Sequence, residues 1–309
     1  MVDQCVDLML NLRQSGHPGG SRSKVPMLIA STLGAGMRWD VRHPENPLGD
    51  RHVLVAGHAN PAVYGMLAVY NEALRIAHRR TGDSKYLVPQ AEERQLVWQD
   101  LLWLRHEGRL QGHAEMEGKT LFFKFNTGPS GHGGPAALGE AMALKHAGSD
   151  TKVFALEGEG GHTAGCHHEV KNSAYGLGLD NLIYLLDWND HGIDKFANSE
   201  VAYGTPKEWF ESYGWRVAGA EDGHDYASLT RALLEIVHPE STEGRPGCVW
   251  FKTTKGRGYH VYDAASHGKV HGRNSELFWR CREDFASKYG VKFEGHGDTT
   301  DTGEDGCRE

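Results

Sequence analysis

Residues 153–189 read VFALEGEGGHTAGCHHEVKNSAYGLGLDNLIYLLDWN. This stretch contains an apolar run, a Gly-rich turn, a helix-compatible segment and a second apolar run that leads to Asn189. The order predicts a strand, a turn, a helix and a second, parallel strand. In a parallel sheet the turn and Asn189 then emerge at the same edge, where ligands of such sheets bind.

The turn Gly158-Glu159-Gly160 and Asn189 together suit a magnesium diphosphate. A carboxylate and an amide oxygen are ligands that Mg²⁺ takes while it keeps positions for phosphate oxygens. The glycines let the main chain approach a diphosphate closely, and the N-terminus of the following helix favours negative charge. Taken alone, the stretch also fits an ordinary tight turn with solvated polar side chains.

The rest of the chain alternates short apolar strands with helical patterns, which predicts an α/β fold. We expect a doubly wound, mostly parallel sheet with helices on both faces. The domain is expected to span residues 1–292, and residues 293–309, rich in Gly, Thr, Asp and Glu, to form a disordered polar tail. The predicted strands are 53–56, 153–156, 182–187, 215–218 and 248–253, and the predicted helices are 2–13, 24–36, 61–79, 91–107, 134–145, 163–176, 206–213 and 225–237.

Bulk properties narrow the function classes. A chain of 309 residues with 39% hydrophobic content buries one large core. Its net charge of −8 argues against a nucleic-acid-binding surface. The sequence has no apolar run of membrane-spanning length and no secretory signal pattern, so we expect a soluble, cytoplasmic protein without membrane attachment. Five cysteines without a CxxC pair indicate free thiols.

Motifs along most of the chain resemble the N-terminal, thiamine diphosphate-binding domain of transketolase. The resemblance covers roughly residues 5 to 275 and includes the Gly-Glu-Gly turn with the Asn about 30 positions later. The other motifs follow in that family's order: Ser15-Gly16-His17-Pro18-Gly19-Gly20, Gly57-His58, Gly112-His113-Ala114-Glu115, Thr127-Gly128-Pro129, His168-Glu169-Val170 and Val270-His271-Gly272.

The resemblance implies thiamine diphosphate and Mg²⁺ as cofactors. It assigns the metal to Glu159, Asn189 and the backbone carbonyl of His191. The cofactor-binding positions that it implies are His58, Gly128, Pro129, Ser130, Gly158, Glu159, Gly160, Asn189 and His271.

Four histidines correspond to the imidazoles that surround the reacting carbon unit in the family: His17, His58, His113 and His271. Neutral imidazoles can donate to a developing alkoxide and exchange a proton near neutral pH. A zinc site at His162, His167 and His168 is the alternative for a second group of histidines. That spacing matches no standard zinc site, because neighbours on a helix point about 100° apart.

The sequence departs from the family at several positions of the site. Glu159 replaces an Asp, and its extra methylene moves the carboxylate by roughly an ångström, although Mg²⁺ demands near-ideal octahedral geometry. Ser130 and His132 replace the Leu and Gln of a Gly-Pro-Leu-Gly-Gln-Gly motif, Ala164 replaces a Glu, and Arg273 follows His271-Gly272 where the family continues with Ala.

The chain is about half as long as a transketolase, whose second half carries the pyrimidine-binding domain. The resemblance therefore implies a transketolase-like subunit, or a fragment, that transfers a two-carbon ketol unit between sugar phosphates. It implies a homodimer, with small residues on the helix near 135–147 at the interface, and a separate C-terminal-type, pyrimidine-domain subunit.

Two alternatives remain open from the sequence. One is the first component of a 2-oxo acid dehydrogenase or a related decarboxylase, which Gly57-His58-Ala59-Asn60-Pro61 resembles at least as closely. The other is a non-catalytic or repurposed domain of the same fold, indicated by Glu159, Ser130 and Ala164.

Overall fold

The computed structural model describes residues 1–34, 36–88 and 91–308, except for the side chains of residues 91 and 92. Five strands form one sheet in the order β1-β2-β3-β5-β4, and every neighbouring pair is parallel. The predicted parallel α/β fold is confirmed. The strands are β1 Arg51–Leu54, β2 Val153–Gly158, β3 Leu182–Trp188, β4 Arg216–Ala220 and β5 Gly247–Lys252.

Helices lie on both faces of this sheet. The α-helices in the described residues are α1 Val2–Arg13, α2 Pro18–Leu33, α3 Asn60–Thr81, α4 Ala91–Arg94, α5 Gly133–His146, α6 Glu159–His162, α7 Gly165–Gly176, α8 Asn198–Val201, α9 Pro206–Glu211, α10 Tyr226–Val237, α11 Glu276–Tyr289 and α12 Gly303–Gly306. Short 3₁₀ helices occur at Gly57–Ala59, Ser84–Tyr86, Trp98–Trp103, Gly118–Thr120 and Asp263–Ser266.

The alternation of side chains along each strand produces two cores. On β2, Phe154 and Leu156 point to the core that also contains residues of α1, α2, α3 and α10. Val153 and Ala155 point to the opposite core, with residues of α5, α7 and α9. Because both faces are covered, the strands are apolar throughout, which is why the sequence showed runs rather than alternation.

The register of the two central strands sets the position of the site. Gly158 pairs with Asp187 at the carboxyl end of β2 and β3, so the turn after β2 and the residues after β3 leave the sheet side by side. The helix expected over 163–176 is present as α7, which begins at Gly165, and a one-turn helix, α6, precedes it and begins at Glu159.

The second helix begins earlier than predicted. The sequence indicated a helix over 24–36, whereas α2 begins at Pro18 and ends at Leu33. Pro18 occupies the first turn, where proline needs no hydrogen-bond partner and its fixed φ suits a helix. Gly19 and Gly20, which are poor helix formers, explain why the start of the helix looked like a loop. Residue 35, at the predicted end, lies outside the described residues.

The prediction of one long amphipathic helix over 91–107 is wrong. The chain instead forms the short α4 and the 3₁₀ helix Trp98–Trp103. Val97 adopts an extended conformation, and its main-chain N–H donates to the Asp100 carboxylate at 2.8 Å. Leu101 and Leu104 are buried while Trp98 is 49% exposed, and the three-residue spacing of the two leucines is compatible with a 3₁₀ helix as well as with an α-helix.

The C-terminal part differs from the expected disordered tail. The helix α11 was not foreseen, and residues after it contact the domain. The Trp279 indole N–H donates to the carbonyl of Asp298 at 2.7 Å, and Arg273 pairs with Asp301 at 2.8 Å. Glu304 pairs with Arg13 at 3.2 Å. Side-chain hydrogen bonds and ion pairs, which composition does not reveal, hold this polar segment.

Two further features concern the whole chain. None of the five cysteines forms a disulfide. Among the described residues, no helix combines the length and the apolar composition needed to cross a lipid bilayer.

His52 on β1 gives a prediction about stability. Its ring is fully buried and stacks on Phe122 at 4.7 Å, and both ring nitrogens lack a hydrogen-bond partner in the described part of the chain. Burial lowers the pKa of His52 from 6.5 to about 3. Below pH 6.5, His52 therefore binds a proton in the unfolded chain but stays neutral in the folded chain. The free energy of unfolding falls as the pH is lowered.

We expect His52→Phe to raise the free energy of unfolding by about 1–3 kcal/mol at pH 7, because an unsatisfied buried polar group disappears. At pH 5 the gain should grow by about 2 kcal/mol, since the proton uptake by His52 in the unfolded state is removed as well. Urea unfolding at both pH values measures this. His146→Phe, at an exposed position of α5, is the control. A variant that is less stable than wild type at pH 5 would contradict the prediction.

Candidate active site

A cleft of about 470 Å³ opens at the carboxyl edge of the sheet, between the ends of β2 and β3 and the first turns of α2. It contains most of the residues that the sequence predicted at the cofactor. Those that line it are His58, Ser130, Gly158, Glu159, Gly160, Asn189 and His191, together with Lys24, Glu157, Lys255 and His267, which the sequence did not indicate. Gly128 and Pro129 lie in the adjoining loop and do not line the cleft.

Glu159 is the first residue of α6, and its side chain is 1% exposed. Each carboxylate oxygen accepts a hydrogen bond from the main-chain N–H of Asn189 at 3.2 Å, and Oε1 also accepts one from Asn198 Nδ2 at 3.1 Å. Burial, and after it the negative charge of Asp187, raise the pKa of Glu159 to about 7. The longer side chain is thus used to reach both β3 and α8, and Asn198 is a partner that the sequence did not reveal.

Asn189 is fixed by its neighbours in the chain. Its Oδ1 accepts the main-chain N–H of His191 at 3.1 Å, and its Nδ2 donates to Asp187 Oδ2 at 3.0 Å. The predicted pair Glu159 and Asn189 is therefore brought together, although the contact between them runs through the main chain of Asn189.

Asp187 is the centre of a buried network beneath the cleft. Its fully buried carboxylate accepts hydrogen bonds from Ser23 Oγ at 2.5 Å, Lys24 Nζ at 3.0 Å and Thr253 Oγ1 at 2.6 Å, besides Asn189. The network joins α2, β3 and the end of β5. Asp187 is not among the residues that line the cleft, and its role follows from these side-chain contacts rather than from a motif.

A second carboxylate holds the loop on the other side of the turn. Glu157 is buried and accepts the main-chain N–H groups of Gly158 at 2.8 Å and Gly131 at 3.2 Å. Burial raises the pKa of Glu157 to about 7. Gly131 has a φ of +83°, which a side chain would strain, so this contact places the neighbouring Ser130 at the cleft.

The carbonyl of His191, predicted as a metal ligand, already has a partner in the structure. Lys255 Nζ donates to this oxygen at 2.8 Å and to the carbonyl of Gly192 at 2.7 Å. Lys255 is 3% exposed, and burial lowers its pKa to about 8, helped by the charge of Lys24.

Three histidine rings, His17, His58 and His267, meet at the cleft and are called the imidazole cluster below. The ring centroids are 4.8 Å apart for His17 and His58, 5.1 Å for His17 and His267, and 5.3 Å for His58 and His267. Burial is the main cause that lowers the pKa of His17 to about 4, of His267 to about 3 and of His58 well below 6.5. All three imidazoles are therefore neutral at pH 7, and each offers one donor and one acceptor.

His271 lies apart from the imidazole cluster. It stacks on the ring of Tyr259 with centroids 3.8 Å apart, and its Nε2 hydrogen-bonds with the carbonyl of Tyr259 at 2.8 Å. His267 occupies the cleft instead. Both positions read His-Gly in the sequence, so the motif alone did not distinguish them.

His113 is exposed, and no described contact joins it to the imidazole cluster. Burial is the largest cause that lowers the pKa of His17, and the charges of Arg105 and His113 are the next two. Both residues are therefore near His17. Arg105 Nη1 also donates to Ser15 Oγ at 2.5 Å.

The other group of histidines lies in the opposite core. The rings of His162 and His167 are 4.2 Å apart and pack against Tyr184. No group of three or more His, Cys, Asp or Glu side chains in the described residues is placed to share a metal ion. The magnesium ligands expected from the resemblance are of another kind, since they combine one carboxylate with an amide and a main-chain carbonyl.

Comparison with known proteins agrees with this arrangement. The family model "Transketolase, thiamine diphosphate binding domain" matches residues 98–286. Transketolase 2 of Xanthobacter flavus is 31% identical over 273 residues, which cover 84% of this chain and 35% of that protein. The transketolase structure from Campylobacter jejuni superposes with a TM-score of 0.71 at 28% identity, covering 92% of this chain and 42% of that chain.

One relative has a similar length. The 6-deoxy-6-sulfo-D-fructose transketolase subunit of a Clostridium species is 28% identical over 262 residues, which cover 85% of this chain and 84% of that subunit. By contrast, this chain spans little more than a third of Transketolase 2.

Proposed function

Since this chain belongs to the transketolase family through its thiamine diphosphate-binding domain, we propose that it is the diphosphate-binding subunit of a two-chain transketolase. The reaction would transfer a two-carbon ketol unit between sugar phosphates or related anionic sugars. The observation that carries the proposal is the cleft in which the Gly158-Glu159-Gly160 turn and Asn189 face the imidazole cluster.

The residues of the cleft fit thiamine diphosphate with Mg²⁺ by their chemistry. Glu159, Asn189 and the His191 carbonyl are the oxygen donors that Mg²⁺ prefers, and a cation beside Glu159 would favour the ionised form of this buried carboxyl. His17 Nδ1 is buried without a hydrogen-bond partner in the described residues, as expected for an atom that a ligand satisfies. When bound, thiamine diphosphate supplies a thiazolium ylid that stores an electron pair.

The imidazole cluster would bind and orient the sugar in this proposal. Because the three rings are neutral, each can donate a hydrogen bond to a substrate hydroxyl or developing alkoxide and accept a hydrogen bond from another hydroxyl. Their low pKa values keep them from holding a second proton at pH 7. His113 would contact substrate from the exposed side, and His271 would act through the position of Tyr259.

The partner proposal rests on length and on surface. Full-size relatives are nearly three times as long as the matched region, whereas the Clostridium subunit is similar in length to this chain. Ile193 and Val201, which line the cleft, are 70% and 67% exposed, and Phe196 and Tyr203, close to them in the chain, are 55% and 94% exposed. We assign this apolar rim to a pyrimidine-domain subunit, whose docking would cover it and close the cleft.

We also propose a homodimer, in which fewer small residues of α5 are available for the interface than the sequence indicated. Of the small residues on α5, Ala137 and Ala141 are buried in the core of this chain. Ala136 and Gly139 are partly exposed and available for a second copy, and a Cβ at Gly139 would meet no atom within 4 Å.

The test combines this chain with a pyrimidine-domain protein encoded beside it, together with thiamine diphosphate and Mg²⁺. We expect the pair to consume a ketose donor, xylulose 5-phosphate or 6-deoxy-6-sulfofructose, while neither chain alone does so. His58→Ala should lower kcat/KM by about 10²–10⁴-fold, as expected for an acid–base group, and His146→Ala should leave it unchanged.

Three outcomes would count against the proposal. Turnover of pyruvate without turnover of ketose would favour a 2-oxo acid enzyme. Cofactor binding without turnover of either donor would favour a repurposed domain. Failure of the two chains to associate in light scattering during size-exclusion chromatography would refute the partner.

A further inference from the structure

Lys255 lies three residues beyond β5 and connects two parts of the cleft that are distant in sequence. Besides the carbonyls of His191 and Gly192, its Nζ contacts His267 Nδ1 at 3.1 Å. The three N–H groups of the ammonium are thus matched by three acceptors. The stem is held too, since a Cβ on Gly19 would lie only 2.9 Å from Lys255 Cγ. Gly19, in the first turn of α2, therefore makes room for Ser266 and this lysine.

The contact to His267 determines which ring nitrogen carries the proton. An ammonium group can only donate, so Nδ1 of His267 must be the acceptor. A neutral imidazole has one protonated nitrogen, and the proton of His267 then resides on Nε2. Two N–H groups of Lys255 are directed at the carbonyls of His191 and Gly192, so the third N–H is the group that faces His267 Nδ1.

We propose that Lys255 is a positioning residue that fixes His267 as the Nε2–H tautomer and ties this imidazole to the turn at His191 and Gly192. The Nε2–H group of His267 is then the hydrogen-bond donor that this ring contributes to the imidazole cluster. Its ring centroid lies 5.1 Å from that of His17 and 5.3 Å from that of His58. Lys255 thereby links the turn at His191 and Gly192, where a ligand would bind, to the imidazole cluster, where a sugar would bind. The effect on a sugar substrate rests on the proposed function, whereas the tautomer does not.

The tautomer can be measured without cofactor or partner. In the ¹⁵N-histidine-labelled chain at pH 7, long-range ¹H–¹⁵N correlation spectra distinguish protonated from unprotonated ring nitrogens, and His267→Gln assigns the signals. We expect an unprotonated Nδ1 and a protonated Nε2 in wild type. Lys255→Met should shift the tautomer ratio towards Nδ1–H by about tenfold or more, because a hydrogen bond from a charged group is lost.

Two variants serve as controls. Lys252→Met removes an exposed lysine three positions away and should leave the His267 signals unchanged. Lys255→Arg keeps a donor and should keep the wild-type tautomer. The buried signals of His52 and His162 report whether each variant is folded.

The proposal is overturned if wild type shows a protonated Nδ1, a result that needs no variant to fold. It is also overturned if folded Lys255→Met keeps the wild-type shifts of both nitrogens. If the tautomer is as expected but the two-chain complex turns over no ketose, the proposed function fails while the role of Lys255 stands.

Discussion

Replacing Lys24 by methionine is expected to lower the free energy of unfolding by about 3–5 kcal/mol, because removal of one partner leaves a buried charge uncompensated. Lys24 Nζ lies 3.0 Å from Asp187 Oδ2, and the two side chains are 3% and 0% exposed. Ser23, Asn189 and Thr253 would still hydrogen-bond the carboxylate, but none of them carries a positive charge. Urea unfolding followed by circular dichroism measures the change.

The control is an ion pair of similar length nearer the surface. Lys119 Nζ lies 2.9 Å from Asp100, but these side chains are 29% and 19% exposed. Lys119→Met should therefore cost about 0–1 kcal/mol. Replacing both members of the buried pair, Lys24→Met with Asp187→Asn, should recover part of the loss, since the unpaired charge is gone. If Lys24→Met alone lowers the free energy of unfolding by less than about 1 kcal/mol, Asp187 is not left as an uncompensated buried anion in that variant, and the prediction is wrong.

The strands of the sheet and the turn at the cleft were accessible to sequence reasoning for a physical reason. Buried parallel strands are short apolar runs, and the residues after them must collect at one edge. Glu159, Asn189 and His58, which follow three different strands, accordingly line the same cleft. The helix over 91–107 failed because Leu101 and Leu104 satisfy a 3₁₀ spacing as well as an α-helical one.

The contacts that decide chemistry within the cleft were not accessible in this way. Lys24 reaches Asp187 from α2, and Lys255 reaches the His191 carbonyl from beyond β5. No spacing in the sequence links either pair. His267 and His271 both precede a glycine, and only the stacking of His271 on Tyr259 removes it from the cleft. The contacts of Glu304 and Asp301 likewise depend on partners far along the chain.

These unforeseen contacts form one connected system. Asp187 joins Lys24 to Asn189, and Glu159 accepts the main-chain N–H of Asn189. On the other side, Lys255 joins the His191 carbonyl to His267. A change at the turn after β2 therefore acts on the residues after β3, and the side chain of Glu159 is the member through which this can be tested most directly.

Glu159→Gln is expected to weaken the binding of thiamine diphosphate in the presence of Mg²⁺ by about a hundredfold or more. Loss of a group that only supports a metal ligand typically costs about 10–100-fold in metal affinity, and here the proposed ligand itself loses its charge. The amide also places a donor against the N–H groups of Asn189 and Asn198, where the carboxylate accepts from both. Isothermal titration calorimetry of the chain together with the proposed pyrimidine-domain subunit measures the affinity.

Two further variants make the result specific to the position and length of the side chain. Glu169→Gln removes an exposed carboxylate from α7 and should leave the affinity unchanged. Glu159→Asp keeps the charge but cannot span to both β3 and α8, where the oxygens now lie 3.1–3.2 Å from their donors, so its affinity should fall between wild type and Glu159→Gln. If Glu159→Gln binds the cofactor as tightly as wild type, the carboxylate serves only to fold the turn, and the magnesium assignment is wrong.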